Sequence, residues 1–252
     1  FDSVCEQFNT DPAPLLQEVS LPPDVLQHPE LMIPYRSFLN LIELAAQKTH
    51  CPYFGLELSR HQALEIFGPI AFIMEASVNT GAALQSMITY FHIHNEGADL
   101  NFELCGEQAI LSFTVKSNID KLTVQQSLLS CGIGLNIMRA LCGKQWNPQR
   151  VQLMLDAPND DRTLRKHFQC PVTFNQEVNS FIFDAKALHT PLSESNPEMH
   201  QQLKKYLAEK LQAHSETLVE QVKHLITQML LTGDACLDRT AELLDMSRRQ
   251  LQ

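Results

Sequence analysis

Apolar residues first recur at helical spacing. In "PYRSFLNLIELAAQKTH", Phe38, Leu41, Ile42, Ala45 and Ala46 fall at i, i+3, i+4 intervals, the mark of an amphipathic helix. Ahead of it, "TDPAPLLQEV" sets Asp11 as an N-cap with Pro12 just inside a short helix. "FGPIAFIMEAS" is almost wholly apolar and reads as a short, fully buried helix that includes Ile70, Phe72, Ile73 and Met74. "NTGAALQSMITYFHIH" predicts another helix, capped by Asn79 or Thr80.

The period then switches to two. In "DLNFELCGEQAILSFTV", Leu100, Phe102 and Leu104 alternate with Asn101 and Glu103, and Cys105-Gly106-Glu107 reads as the turn of a β-hairpin. "IDKLTVQQSLLSCGIGLNIMRALCG" returns to a helix, apolar at Leu128, Leu129, Ile133, Leu135, Ile137, Met138 and Leu141. Gly132 and Gly134 lie inside it. A glycine weakens a helix by about 1 kcal/mol against alanine, so close packing by a neighbour is the expected reason for both. "QRVQLMLD" reads as a strand, "DDRTLRKHF" as a short helix and "VTFNQEVNSFIFD" as a second hairpin. Helices followed by this mixture predict an α+β domain with a mainly antiparallel sheet. Trp146, between the long helix and the strand, is expected to plug the core.

A Pro-, Ser- and Asn-containing stretch, "HTPLSESNPEMH", then marks a boundary. Beyond it, Met199, Leu203, Leu207 and Leu211 form a narrow helical stripe with Tyr206 alongside. That helix either packs on its own domain or pairs with a second copy; its repeats are too few for a coiled coil. At the C-terminal end "TLVEQVKHLITQMLL" is a helix stopped by Gly233, and "CLDRTAELL" is a second one with Leu237, Ala241 and Leu244 on one face. "DMS" is a turn, where Asp245 tolerates the left-handed conformation and Ser247 is a good N-cap. Arg248 and Arg249 open the next helix. Supporting helix, short turn and a helix rich in Arg and Gln is the layout of a helix-turn-helix, whose second helix enters the major groove. An ordinary helical hairpin with a basic turn has the same spacing.

Composition narrows this picture. The net charge of -10 and pI near 5.4 exclude a broadly basic nucleic-acid coat but not a small local DNA-reading surface. Seven cysteines, odd in number and widely spaced, fit buried thiols in a reducing compartment. No apolar run is long enough to span a membrane, and no signal peptide is visible, so a cytoplasmic protein is expected. Phe1 is not expected to be the native start.

"LLTGDACLDRTAELLDMSRRQLQ" resembles the first helix-turn-helix of AraC-type transcription regulators. Gly233, Leu237, Ala241, Leu244, Met246, Ser247, Arg249, Leu251 and Gln252 match its pattern, and Asp245 stands where the family usually has Gly. Five further segments resemble, in order, the branch with an arabinose-binding-like N-terminal domain: "LIELAAQKTHCPYFGLELSR", "FGPIAFIMEASVNTGAALQSMITYFHIHNEGADL", "GKQWNPQRVQLMLDAP", "FQCPVTFNQEVNSFIFDAKAL" and "PL". The resemblance implies an α+β effector-sensing and dimerisation domain over 1–195 and a linker or dimer helix over 196–215. Residues 216–252 would be the first part of an all-α helix-turn-helix DNA-binding domain. Of the family's two helix-turn-helix units only the first is expected here, incomplete, so residues 1–252 alone are not expected to hold an operator properly. By the same resemblance Arg249 and Gln252 face base edges, Ser247 lies near backbone phosphates and Arg248 adds a phosphate contact.

The expected function is sequence-specific transcription regulation under a small apolar or amphipathic effector, of the fatty-acid or amino-acid-derivative class. DNA, that effector, a second copy and RNA polymerase are the expected partners. Activation or repression stays open. One alternative is a regulator controlled by a protein partner; another is a ligand-binding or enzymatic domain whose C-terminal helices only pack. An effector pocket would draw on Met74, Phe113, Cys131 and Met138, with Arg60, His61, Tyr90 or His92 as polar anchors. His92 and His94 invite a metal, but i and i+2 do not share a helical face and no third ligand stands nearby. No nucleophile elbow, P-loop, H-E-x-x-H or dinucleotide fingerprint occurs, and nothing near Cys170 and His167 orients a base. No enzyme, cofactor or metal is expected.

Overall fold

The computed structural model describes residues 1–28, 33–116, 124–214, 222–223, 226, 229, 236–243, 246 and 248–251. By packing, the chain divides into two compact units: Phe1–Cys51 with Gln212–Gln252, and Pro52–Leu211. These cuts fall elsewhere than the functional division into 1–195, 196–215 and 216–252 expected from the sequence.

The first unit opens with α1 (Asp2–Gln7), α2 (Pro12–Glu18) and α3 (Tyr35–Lys48). Asp11 caps α2 as expected, its Oδ1 accepting from the Ala13 amide at 3.0 Å. Leu15 and Leu16 of α2 are buried, and so are Leu41, Ile42, Ala45 and Ala46 of the α3 face read from the sequence; Phe38 of that face is only half-buried, and Leu39 is buried instead.

In the second unit, α4 (Phe54–Ser59), α5 (Pro69–Glu75) and α6 (Thr80–His94) precede a hairpin of β1 (Ala98–Cys105) and β2 (Gln108–Val115). Then come α7 (Val124–Cys142), β3 (Arg150–Gln152), α8 (Arg162–Phe168), β4 (Val172–Thr173), β5 (Asn179–Asp184) and α9 (Pro197–His214). Asn79 caps α6, accepting from the Ala82 amide at 2.9 Å. The hairpin turns on Gly106 and Glu107, with Cys105 paired to Gln108 and Gly106 alone at positive φ, the pattern of a type II′ turn.

The five strands run in the order β1-β2-β5-β3-β4. All pairs are antiparallel except β3 with β4. The expected second hairpin is therefore not formed: β3 lies between β4 and β5. The reason is local. Beyond β4 the backbone keeps bonding to the continuation of β3, Asn175 N to Leu155 O at 2.8 Å and Gln176 N to Leu153 O at 3.0 Å, instead of folding back on β5. A second correction concerns α5. Ile70, Ile73 and Met74 are buried, but Phe72 is 58% exposed. A helix of about two turns cannot turn every residue inward, and Phe72 lies across the helix axis from that buried row. Leu104, near the hairpin tip, is likewise 61% exposed.

The core is built on α7. Its glycines are where neighbours come closest, as the sequence predicts. A Cβ on Gly132 would collide with Cβ and Oγ of Ser59 in α4, and one on Gly134 would lie 2.5 Å from Cε2 of Phe181 in β5. Gly55 in α4 is the reciprocal contact, set against the backbone carbonyl of Gln125. Side chains of α7 finish both ends of α4. Gln125 Oε1 accepts from the Gly55 amide (2.8 Å), and its Nε2 donates to Pro52 O (3.1 Å). Asn136 Nδ2 donates to the carbonyls of Ser59 (2.7 Å) and Gln62 (2.9 Å). These bonds satisfy helix-end groups that would otherwise be buried without partners. The sheet presents Leu111 and Phe181, paired across β2 and β5, with Ala109 and Phe183 beside them. Trp146 packs edge-on to Phe183 at 5.6 Å, the plug expected of it. On α9, Leu207 is buried against this core with Leu203 and Leu211 beside it, while Met199 and Tyr206 are exposed.

Replacing Gly132 by Ala is expected to destabilise the protein by about 1–3 kcal/mol through overpacking, read from urea denaturation. Gly55→Ala is expected to cost more, because it meets backbone and not a side-chain tip. Wild-type midpoints for both would contradict the close crossing of α4 and α7.

Candidate functional sites

The C-terminal candidate begins at Cys236. The helix Leu237–Leu243 buries Thr240 and Ala241. Thr240 Oγ1 also bonds Cys236 O at 2.9 Å. The Met246 amide donates back to Ala241 O at 2.8 Å. A bond of that span ties the residue before the next helical turn back to the end of this helix. A helical turn, Arg248–Leu251, restarts at once. Ala241 thus occupies the small, buried position that the sequence assigns to a tight crossing. Arg248 and Arg249 are exposed. Arg248 Nε pairs with Asp238 Oδ1 at 3.0 Å. An exposed pair of this kind is worth about 0–1 kcal/mol, so the guanidinium is readily released to a phosphate. Ser247 and Gln252 lie outside the described residues.

The expected effector residues separate into two groups. Met74, Tyr90, Cys131 and Met138 are buried in one apolar cluster, and Phe113 packs against it. Arg60, His61 and His92 are exposed. Arg60 pairs with Glu57 at 3.2 Å, and His92 stands 3.6 Å from Asp99. The Tyr90 hydroxyl is tied to α9, donating to Lys204 O at 3.4 Å. On α6 His94 is exposed as well, but its ring lies 4.5 Å from that of Phe67, and the desolvation there lowers its pKa. His92 and His94 therefore diverge, as helical spacing requires. Among the described residues no group of three His, Cys, Asp or Glu side chains is placed to hold a metal.

The structure adds polar groups that the sequence reading passed over. Ser127 of α7 and Asn179 of β5 are buried together, Asn179 Nδ2 donating to Ser127 Oγ at 3.1 Å and its Oδ1 accepting from the Met154 amide at 3.0 Å. Arg139, near the end of α7, donates from Nε to Trp146 O (3.1 Å) and from Nη2 to Asn147 Oδ1 (2.6 Å). The available signal was polar residues interrupting an apolar helix: Gln125, Ser127, Asn136 and Arg139. Cys170 and His167 are in the wrong states for nucleophilic chemistry. Burial pushes the Cys170 thiol up to about 11. Burial and the charges of Arg60 and Arg139 push the His167 imidazole down to about 4. Among the described residues no helix is long and apolar enough to cross a membrane.

Residues 10–192 match the family model for the arabinose-binding domain of AraC transcription regulators, N-terminal. The chain belongs to this family. It is 25% identical over 262 residues to the HTH-type transcriptional regulator VirS of Mycobacterium tuberculosis, strain CDC 1551 / Oshkosh, covering 100% of this chain and 75% of that protein. The same protein of strain ATCC 25618 / H37Rv matches equally. The fold is similar to the crystal structure of the transcriptional regulator CdpR from Pseudomonas aeruginosa, with a TM-score of 0.59 and 16% identity over 97% of this chain and 77% of that one. The chain is thus an AraC-type, DNA-binding transcription regulator with an N-terminal ligand-binding domain.

His167 gives a pH signature. Its folded pKa of about 4 lies below the ordinary 6.5, so the native state resists protonation that the unfolded chain accepts. Its contribution is full above pH 6.5 and is lost as pH falls towards 4. The urea midpoint should fall less steeply across that window in His167→Gln than in wild type. Equal slopes would show that the imidazole is not held neutral by the fold.

Proposed function

Starting from this family membership, we propose that residues 1–195 sense a small amphipathic acid, of the fatty-acid or amino-acid-derivative class, and dimerise. Residues 196–215 carry the change, and residues 216–252 begin the DNA-reading head. The observation that carries the reading is the helix–turn–restart at 237–251. There Ala241 is buried, its carbonyl accepts from the Met246 amide, and Arg248 and Arg249 are exposed. Arg249 and Gln252 read base edges; Ser247 and Arg248 hold phosphates. The effector binds one arrangement of sensor and reading head better than the other, and its differential affinity sets how far the equilibrium moves. RNA polymerase is the partner through which a bound regulator acts on the promoter.

A second reading, control by a protein partner without a small effector, has one observation in its favour. Three of the expected polar anchors, Arg60, His61 and His92, are exposed.

Arg249→Ala in the full-length protein is expected to weaken specific operator binding by about 1–3 kcal/mol and to relax base preference at one position. Measured by gel shift across operator variants, unchanged affinity and preference would remove Arg249 from the recognition helix.

A further inference from the structure

The ends of α4, α7 and α8 come together with more cationic groups than acids. α4 and α8 are linked where they begin, Tyr53 Oη donating to Asp160 O at 3.0 Å, and where they end the charge of Arg60 is close enough to help lower the pKa of His167. Asn136 binds α7 to the last carbonyls of α4. One turn further along α7, Arg139 reaches Asn147, which in turn donates to Gln169 Oε1, just past α8, at 3.1 Å. The three helix ends are therefore stitched into one place.

Two features there call for a missing acceptor. The partly buried Arg139 guanidinium has only neutral oxygens among its described partners, from Trp146 and Asn147. A charge withdrawn from water without a counter-charge is costly. His167 Nε2 is buried with no hydrogen-bond partner among the described residues. Such atoms are rare in folded proteins and each asks for an explanation. Of the nearby acids, Glu57 is taken by Arg60, Asp160 by Arg162 and Asp161 by Arg165. An anionic group accepting from Arg139 and His167 would satisfy both at once.

We propose that Arg139, His167 and Arg60 form a binding site for the carboxylate of a small organic acid at the joined ends of α4, α7 and α8. Arg139 supplies charge-assisted hydrogen bonds, which are among the stronger ones available to a protein. His167 donates from Nε2 as the neutral imidazole, so binding needs a choice of tautomer but no proton uptake. Arg60, held by Glu57 at the rim, adds attraction at longer range. Beside this site Phe168 is fully buried in the apolar cluster and Trp146 packs against it, a setting suited to an acid with an apolar body. The assignment rests on the sensor reading above, and it moves the polar anchor from the exposed His61 and His92 to the inner ends of the helices.

The test follows the ring resonances of His167, assigned with His167→Asn, while acetate, octanoate or sulfate is added to the protein at constant ionic strength; calorimetry gives the affinities. Acetate and octanoate should move the His167 resonance saturably. Arg139→Gln should weaken octanoate binding at least about tenfold, the loss of one charge-assisted bond. Arg60→Gln should weaken it only a few-fold. If Arg139→Gln fails to fold, His167→Asn and Arg60→Gln carry the comparison. A resonance that no anion moves would overturn the site. So would a response to sulfate alone, since the assigned ligand is a carboxylate. Octanoate bound with undiminished affinity by His167→Asn and Arg60→Gln would overturn the site while leaving the sensor reading in place. Acetate bound without octanoate would support the site and count against an amphipathic effector.

Discussion

The crossing of α4 over α7 is the contact on which the ligand-binding unit depends. Gly55 and Gly132 let the two backbones approach closer than any Cβ allows. Gln125 and Asn136 then complete the hydrogen bonding of the short helix at both ends. A six-residue helix such as α4 has almost no intrinsic stability, since most of its amides and carbonyls lie in unpaired end turns. It exists because α7 supplies both the space and the partners. Gly134 repeats the device on the sheet side, where Phe181 fills the gap. One helix thus fixes α4 on one side and the central strand β5 on the other.

That arrangement sets the chemistry available. The middle of α7 is apolar and buried, with Leu128, Cys131, Leu135 and Met138 in the common cluster. Its last turns carry Asn136 and Arg139 to the ends of α4 and α8. Polar function is therefore concentrated at helix ends, where orphan carbonyls favour cations, and not spread along the apolar interior. The reading head is a separate matter of local geometry: a buried alanine, a backbone bond across the turn, and arginines left outside.

Much of the architecture was legible in the sequence because it is governed by local periodicity. The α3 face, the Asn79 cap, the first hairpin and the packing role of Gly132 and Gly134 all follow from spacing and residue type. The failures share a cause. Whether "VTF" pairs with "NSFIFD" or with "RVQ" is a question of neighbours, and alternation is the same in both cases. Phe72 was placed inside because an apolar run hides which side of a short helix faces out. Arg60, His61 and His92 were named as anchors for their chemistry alone, which carries no information on burial; all three are exposed, and Arg60 stays at the rim of the proposed site. Arg139 was passed over and His167 was weighed only beside Cys170, because what brings them near each other is the linking of α7 to the end of α8 through Asn147 and Gln169, which neither segment records.

The most direct test of the account as a sensor-regulator is the operator affinity of the full-length protein with and without saturating octanoate. Coupling between two sites is typically about 5–150-fold, and a shift of that order, in either direction, is the result the account predicts. Identical affinities, with octanoate shown to be bound in the arm that contains it, would contradict it.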